Sequence, residues 1–505
     1  MDTMSLFFLG IVFLVTIKIV STWWGNRGNP PGPSALPFIG HLHLISSTFA
    51  RDLANLAQRY GPVIFLRFGA RPVVVVSTPA AVEECFSKND VPLANRPQLL
   101  AGKCLGDNYN NLGWAPHGPH WRSLRRFVNT DLFSVNRLNF YAALREPEVN
   151  VFVKDLYRRA LGGQREVKLR KEFIDVISNC LLAMLIGKRY YGADLDGSEE
   201  ARQFRQNIED FNHFILTPAL GDFLPLFRGI DSIWLARKMK AFAKRRDSFM
   251  QKVIEERRRN MQEKGSEAKT KCVLDALLIN QSTDPDFYSD KNLRGILDAL
   301  ISAGVDTVLN SLEWSLALLI KNPDVLDKVS EEIDTNVGLD RMIQESDVPK
   351  LPTLNNVINE SLRMYPPAPL AIPHEAAEDC VIGGYRVRKG TMIMVNIYAI
   401  HMDPKLWEDP ASFKPERFNA AEDVKGGLKW LAFGHGRRSC PGANLALREL
   451  AMVLGNLIHC FEWSAVGGHE KLDMNMNPGF FLARDRPLVA AFEPRQAMID
   501  VLSQL

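Results

Sequence analysis

From Ser289 to Asn322-Pro323 the chain runs for about 33 residues without a proline, with Ser289 placed as a helix N-cap and Asn322-Pro323 as a stop. At 1.5 Å per residue such a helix is about 50 Å long and crosses a whole domain. Its middle is apolar on most faces, so it has to be buried and the rest of the chain has to wrap it. Inside that middle sits Ala303-Gly304-Val305-Asp306-Thr307. Thr307 can bond back to the carbonyl of Ala303, and Gly304 removes bulk on the same turn. Two readings stand: a kinked helix with a satisfied threonine, or a groove for a small ligand such as dioxygen.

A second segment bears on that choice. Phe433-Gly-His-Gly436-Arg-Arg438-Ser-Cys440-Pro-Gly442 places one cysteine between glycines. Neither Gly436 nor Gly442 carries a Cβ, so the backbone can approach a flat group closely. A thiolate-ligated haem needs such a loop, because the sulfur has to be ringed by backbone N–H groups and spared steric crowding. Arg438 is then placed for a haem propionate. The plainer alternative is a buried free cysteine in a turn.

The 505 residues are 46% hydrophobic and 24% charged, an ordinary globular balance. Length alone suggests about three domains, yet no long linker, repeat or low-complexity tract interrupts the chain after Pro62. A net charge of +3 gives no case for nucleic acid. Cysteines 85, 104, 180, 272, 380, 440 and 460 are odd in number, scattered and free of any C-x-x-C pair. That pattern argues against a disulfide framework or zinc site and for a reducing compartment. The segment 3–24, closed by Trp23-Trp24, is long and apolar enough to be a transmembrane anchor. A cleavable signal peptide is the rival, weakened by the absence of a small-x-small cleavage site. Residues 25–37, with Asn29-Pro-Pro-Gly-Pro33, read as a stiff hinge, and 38–505 as the catalytic body. Asp2 before the segment, with Lys18 and Arg27 within or after it, leaves that body cytosolic.

Val63–Phe68 and Val73–Val76 predict a hairpin around Gly69-Ala-Arg-Pro72. A second β patch is expected at Tyr385–Val387 and Thr391–Asn396, flanking a turn at Lys389-Gly390. Most other segments have helical spacing, including the charged run from Ala236 to Asn260, followed by a polar loop from Gly265 to Lys271. Glu360 and Arg363 share a helix face at i, i+3, and Pro415-Glu-Arg417-Phe418 offers a second arginine for a buried Glu–Arg–Arg cluster that would brace the loop leading to Cys440. Trp121 and Arg125, at i, i+4, point an indole N–H and a guanidinium the same way, both donors suited to a carboxylate.

Taken in order, the N-terminal segment, the Pro-rich hinge, Trp121-x-x-x-Arg125, Ala303-Gly-Val-Asp-Thr307, Glu360-x-x-Arg363, Pro415-Glu-Arg-Phe418 and the cysteine loop resemble a cytochrome P-450 monooxygenase of the plant microsomal type. Ala94-Asn-Arg-Pro97, Trp114-Ala-Pro116 and Asp347-Val-Pro-Lys-Leu-Pro352 are similar to the subfamily of isoflavone hydroxylases and relatives acting on lignans and indoles. The resemblance implies a mainly α fold, a triangular helical domain with a small β region, with haem b between the long helix and the cysteine loop. Cys440 would be the axial thiolate. Trp121, Arg125, His374 and Arg438 would hold propionates; Asp306 and Thr307 would relay protons during dioxygen activation; Glu360, Arg363 and Arg417 would be structural. Arg122 and Arg126 would belong to a basic docking surface for a reductase, or be solvated charges.

No dinucleotide fingerprint precedes a helix, so electrons would come from NADPH through a separate NADPH-cytochrome P-450 reductase at the endoplasmic reticulum membrane. Apolar pocket candidates are Leu99 to Leu105, Phe214, Leu216, Ala299, Ala303, Leu370 to Ile372, Phe480 and Phe481. They suit a lipophilic aromatic or terpenoid metabolite, hydroxylated or closed into a ring or bridge. The alternatives are a reductase-independent haem-thiolate isomerase or dehydratase, which has no need of the Asp306-Thr307 relay, and a catalytically silent haem-binding scaffold.

Overall fold

The computed structural model describes residues 28–46, 48–264, 271–419, 428–477 and 481–505. The expected anchor at 3–24, the first residues of the hinge, Phe480 and residues 265–270 of the polar loop lie outside the described residues. The helices that position the site are α1 (Leu100–Leu105), α2 (Pro119–Phe127), α3 (Val135–Leu161), α4 (Leu169–Ile186), α5 (Glu199–Leu216), α6 (Leu235–Lys264), α7 (Asp290–Lys321), α8 (Pro352–Met364) and α9 (Ala443–Cys460).

The long helix forms as its caps predict. α7 has 32 residues, with Ser289 and Asn322 at its ends. From Val308 to Ile320 every residue is buried. Its C-terminal half packs with α3, α4, α8 and α9 in one apolar cluster, and its N-terminal half with α2, α4 and α6 in another. Among the described residues it is also the one helix long and apolar enough to span a membrane, a consequence of its being the core.

The small β region holds nine short strands among the described residues. β1 (Val63–Phe68), β2 (Arg71–Val76), β4 (His374–Glu375) and β7 (Met392–Val395) make a sheet in the order β1-β2-β7-β4; β3 (Glu166–Lys168), β8 (Phe461–Ala465) and β9 (Val489–Pro494) make a second; β5 (Cys380–Ile382) and β6 (Tyr385–Val387) pair alone. The first hairpin is present with a tighter turn, since β2 begins at Arg71 and Pro72 faces Arg67 on a strand pair where it owes no bond. The second patch is built differently from expectation. Tyr385–Val387 pairs back onto Cys380–Ile382, while Met392–Val395 runs parallel to β2 in the other sheet. Gly383 and Gly384, at φ 59° and 79°, supply the two consecutive left-handed residues of a tight hairpin turn, so the glycine pair and not Lys389-Gly390 closes the ladder.

Candidate active site

The cysteine loop enters α9 directly, and Cys440 N–H donates to the Phe433 carbonyl at 2.8 Å. Gly436 has φ 73°, and a Cβ there would lie 2.8 Å from Asp90 Oδ1 and 3.0 Å from the Phe86 Cβ. Its lack of a side chain is thus required by neighbouring protein, a change from the expected role against a cofactor. Gly442 is different: its nearest neighbours would be Phe133 at 3.8 Å and Cys440 Sγ at 4.0 Å, an open position. Cys440 is accessible to solvent, yet protein surrounds most of its thiol, as at the bottom of a cleft. Burial pushes that thiol up, while the Gly442 N–H and the Arg125 guanidinium pull it back toward the thiolate.

Three guanidiniums converge beside this loop. Arg125 donates to the Ser439 carbonyl at 2.6 Å, Arg438 donates to the carbonyls of Ala94 at 2.8 Å and Ala115, and Arg96 donates to the carbonyls of Ile372 at 2.7 Å and Pro373 at 2.9 Å. None has a carboxylate partner among the described residues, and Arg96 Nε is buried without any bond. Burial, then repulsion from Arg96 and Arg125, lowers Arg438 to about 8, and burial alone lowers Arg96 to about 10. A cation cluster kept in low dielectric without a counter-charge is under electrostatic load that bound carboxylates relieve. Two propionates and a ring seated on a thiolate fit this donor set. Arg96, within Ala94-Asn-Arg-Pro97, is a donor that sequence spacing does not show, because its partners Ile372 and Pro373 lie far along the chain.

The remaining donors are arranged less simply. Trp121 lies under Arg438, whose guanidinium carbon is 4.1 Å from its ring centre, and its indole N–H donates to the Leu112 carbonyl at 3.2 Å. His374 is buried, and its Nδ1 lies 2.8 Å from the Leu93 carbonyl, which makes Nδ1 the protonated nitrogen. Burial and the charge of Arg96 hold its pKa well below the usual histidine range, so the ring is neutral until an anion approaches. Arg437, next to Arg438, turns instead to Asp90 at 2.7 Å.

On α7, Thr307 Oγ1 donates to the Ala303 carbonyl at 2.8 Å, the expected back-bond. Gly304 is needed for packing, because a Cβ would come within 2.7 Å of Leu181 on α4. Ala303 is exposed on a helix whose flanking positions Leu300, Ile301 and Val305 are buried, so its face looks onto an open space. Burial raises the Asp306 carboxyl, with Arg170 opposing. A raised carboxyl stands nearer the range in which it can both release and take up a proton at neutral pH.

The expected Glu–Arg–Arg cluster forms in full. Glu360 and Arg363 are fully buried and paired through two bonds of 2.7 and 2.8 Å, and Arg417 Nε reaches Glu360 Oε1 at 3.3 Å. Arg363 also donates to the carbonyls of His401 and Pro410, and His401 Nε2 accepts from the N–H of Leu431, two residues before Phe433. The cluster therefore braces the start of the cysteine loop.

The pocket candidates separate in space. Leu105 is buried in a cluster of α1 and α6 residues, against which Phe214 packs. Ala299 is half-buried, Phe481 half-buried and Ile372 53% exposed, whereas Leu370 sits in the core beneath β1 and β2. The side chain of Leu216 is outside the described set. A polar bridge that sequence spacing did not show closes the region: Arg246 on α6 pairs with buried Asp298 on α7 at 3.0 Å and donates to the Leu105 carbonyl at 3.3 Å.

A long buried helix, a glycine-flanked cysteine loop and an arginine cluster beside that loop with no carboxylate among the described residues fit a haem-thiolate protein. The cytochrome P450 family profile matches residues 30–490, and the chain belongs to that family of monooxygenases, which binds haem b through a cysteine thiolate. It is 42% identical over 490 residues to isoflavone 3'-hydroxylase of Medicago truncatula, covering 95% of this chain and 96% of the relative. Isoflavone 2'-hydroxylase of Glycyrrhiza echinata is 40% identical over 99% of this chain and 98% of its own. The (+)-piperitol/(+)-sesamin synthase of Sesamum radiatum is 40% identical, with 94% and 92% covered.

Proposed function

We propose that the chain hydroxylates or bridges a lipophilic phenolic metabolite of the isoflavone or lignan kind, with Cys440 as the haem ligand and with electrons from NADPH-cytochrome P450 reductase. The observation that carries the assignment of residues is the counter-ion-free trio of Arg96, Arg125 and Arg438 around the Cys440 loop. The trio and His374 would hold the propionates, with Trp121 as the platform under Arg438 and able to exchange its Leu112 bond for a carboxylate. When bound, the haem supplies dioxygen activation and the oxidising equivalent. Thr307 Oγ1, already oriented by the Ala303 carbonyl, holds a proton at the cleft wall, and Asp306 on the adjacent position replenishes it. Glu360, Arg363 and Arg417 keep the loop in place and take no part in proton transfer.

The substrate class draws on the printed activities of the relatives and on the apolar character of Phe214, Ala299, Ala303 and Phe481. Arg122, Arg126 and Arg437, with Trp121, Arg125 and Gly436, line a surface cleft of about 440 Å³, a basic face suited to an acidic flavoprotein. Membrane association at the endoplasmic reticulum is supported by a patch beside the hinge. Leu226 is 89% exposed, with Ile230, Ile233 and Trp234 exposed after it; Phe38 and Ile39 adjoin them through the β1–β2 turn, where Gly69 and Ala70 bond to Ile39 and Phe223.

The test is the carbon monoxide difference spectrum of the reduced protein beside Cys440→Ser, followed by turnover with reductase and a panel of isoflavones and lignans. A red-shifted Soret band lost in the variant, with oxygenated product from the panel, is expected. Haem-loaded protein without that band overturns the ligand assignment, and a band without product overturns the substrate class.

A further inference from the structure

Trp314 lies two turns beyond Thr307 on α7, seven residues and about 10 Å along the axis, and so projects from the same face of the helix. It is fully buried, one of the largest such side chains in the protein. Three contacts use all of its surfaces. Its Nε1–H donates to the Leu482 carbonyl at 3.0 Å. One ring face stacks on Tyr365 at 3.7 Å and 5° between planes. The Arg484 guanidinium carbon lies 5.1 Å from the ring centre. The Leu482 N–H in turn donates to the Pro367 carbonyl at 3.1 Å, so both backbone groups of Leu482 are taken. Tyr365 and Pro367 begin the stretch leading to Leu370–Ile372, and Leu482 directly follows Phe481. One indole therefore joins α7 to two separate stretches that carry substrate-pocket candidates.

We propose that Trp314 is a positioning residue for substrate selection: through Leu482 and Tyr365 it sets how far the Phe481 wall stands from the α7 face that bears Thr307. The inference rests on the haem-thiolate reading above. A buried indole that merely filled space would need one N–H acceptor anywhere; this one bonds the carbonyl of the residue that follows half-buried Phe481. Removing the donor leaves the Leu482 carbonyl buried and unpaired, and the loop relieves that by shifting.

The test uses Trp314→Phe, which keeps an aromatic face for Tyr365 and Arg484 and deletes the donor together with one ring of volume. Trp463→Phe is the matched control, since Trp463 Nε1 likewise donates to a buried carbonyl, that of Leu457 at 2.8 Å, in the core away from the cleft. Two nitrogen ligands of haem iron serve as probes: imidazole, too small to reach the wall, and 4-phenylimidazole, whose ring has to lie along it. In Trp314→Phe the carbon monoxide spectrum stays thiolate-like, imidazole affinity stays within about twofold, and 4-phenylimidazole affinity changes by roughly tenfold, as expected for a wall displaced on the ångström scale. Hydrogen exchange at the Leu482 amide accelerates in the same variant and not in Trp463→Phe. Unchanged discrimination between the probes with unchanged Leu482 exchange overturns the proposal. Should Trp314→Phe not retain haem, Tyr365→Leu, which removes the stacking partner and leaves the donor, reads the same ratio, and an unchanged ratio there also overturns it. A parent protein lacking the thiolate spectrum refutes the underlying reading instead, and is seen before any variant is made.

Discussion

Two groups of buried and half-buried arginines in this molecule are opposites. Around Glu360, the guanidiniums of Arg363 and Arg417 have a carboxylate at 2.7 to 3.3 Å and backbone carbonyls for their remaining donors. Around the Cys440 loop, Arg96, Arg125 and Arg438 have backbone carbonyls and the Ser439 hydroxyl, and no carboxylate among the described residues. Internal neutralisation makes the first group architecture, complete within the chain. On the proposed reading the second would be completed by an anion from outside, which would distinguish a binding site from a brace when both consist of the same residue type.

The comparison breaks most visibly at the brace. Arg363→Leu strands Glu360 in the core and is expected to cost about 3–5 kcal/mol, so that little folded or haem-loaded protein is recovered; thermal unfolding beside the carbon monoxide spectrum measures both. Arg96→Leu should do the reverse. Removing an uncompensated buried cation leaves the haem-free fold as stable or more stable by about 1–3 kcal/mol, while haem is retained less tightly. Apoprotein unfolding and haem transfer to an acceptor protein read the two effects separately, and an Arg96→Leu apoprotein that unfolds as readily as Arg363→Leu would erase the distinction.

A buried carboxyl lies between these cases. Glu449 on α9 has an unpaired Oε1, and burial raises its carboxyl from 4.5 to about 8, with Arg145 opposing and Glu345 adding. The folded state holds a proton that the unfolded state has lost, so this group's contribution is fully present below pH 4.5 and is lost as pH rises toward about 8. Glu449→Gln should flatten that fall, retaining about 1–3 kcal/mol more stability than the parent at pH 8 than at pH 5; denaturant midpoints at the two pH values check it. The smallest structural effect is expected at Thr307→Ala, under about 1 kcal/mol for the lost back-bond. Its consequence is chemical: product per NADPH falls and hydrogen peroxide rises at unchanged spectrum, and unchanged coupling removes Thr307 from the proton path.

Local spacing made much of this legible. The ends of α7, the Thr307 back-bond, the Glu360–Arg363 pair and the first hairpin all follow from separations of a few residues, where helix and strand geometry alone decide what meets. The second β patch was misassigned because Gly383-Gly384 and Lys389-Gly390 are both turn signals, and only one closes a ladder. Leu181 adjoins Gly304, and Phe86 and Asp90 adjoin Gly436, which nothing within several residues of either glycine reveals.

By itself, then, the sequence determined the helical class, the position of the long buried helix, and the glycine-flanked loop that carries Cys440, because each is set by short-range periodicity and by residue chemistry. Tertiary structure decided which charges stay unpaired and which walls touch. Arg96 meets Ile372 and Pro373, Arg438 meets Ala94, and Trp314 meets Leu482 across separations of more than a hundred residues. Such meetings depend on how whole elements pack against α7, and burial there, more than residue type, turns an arginine into a ligand for an anion or an indole into a fastening.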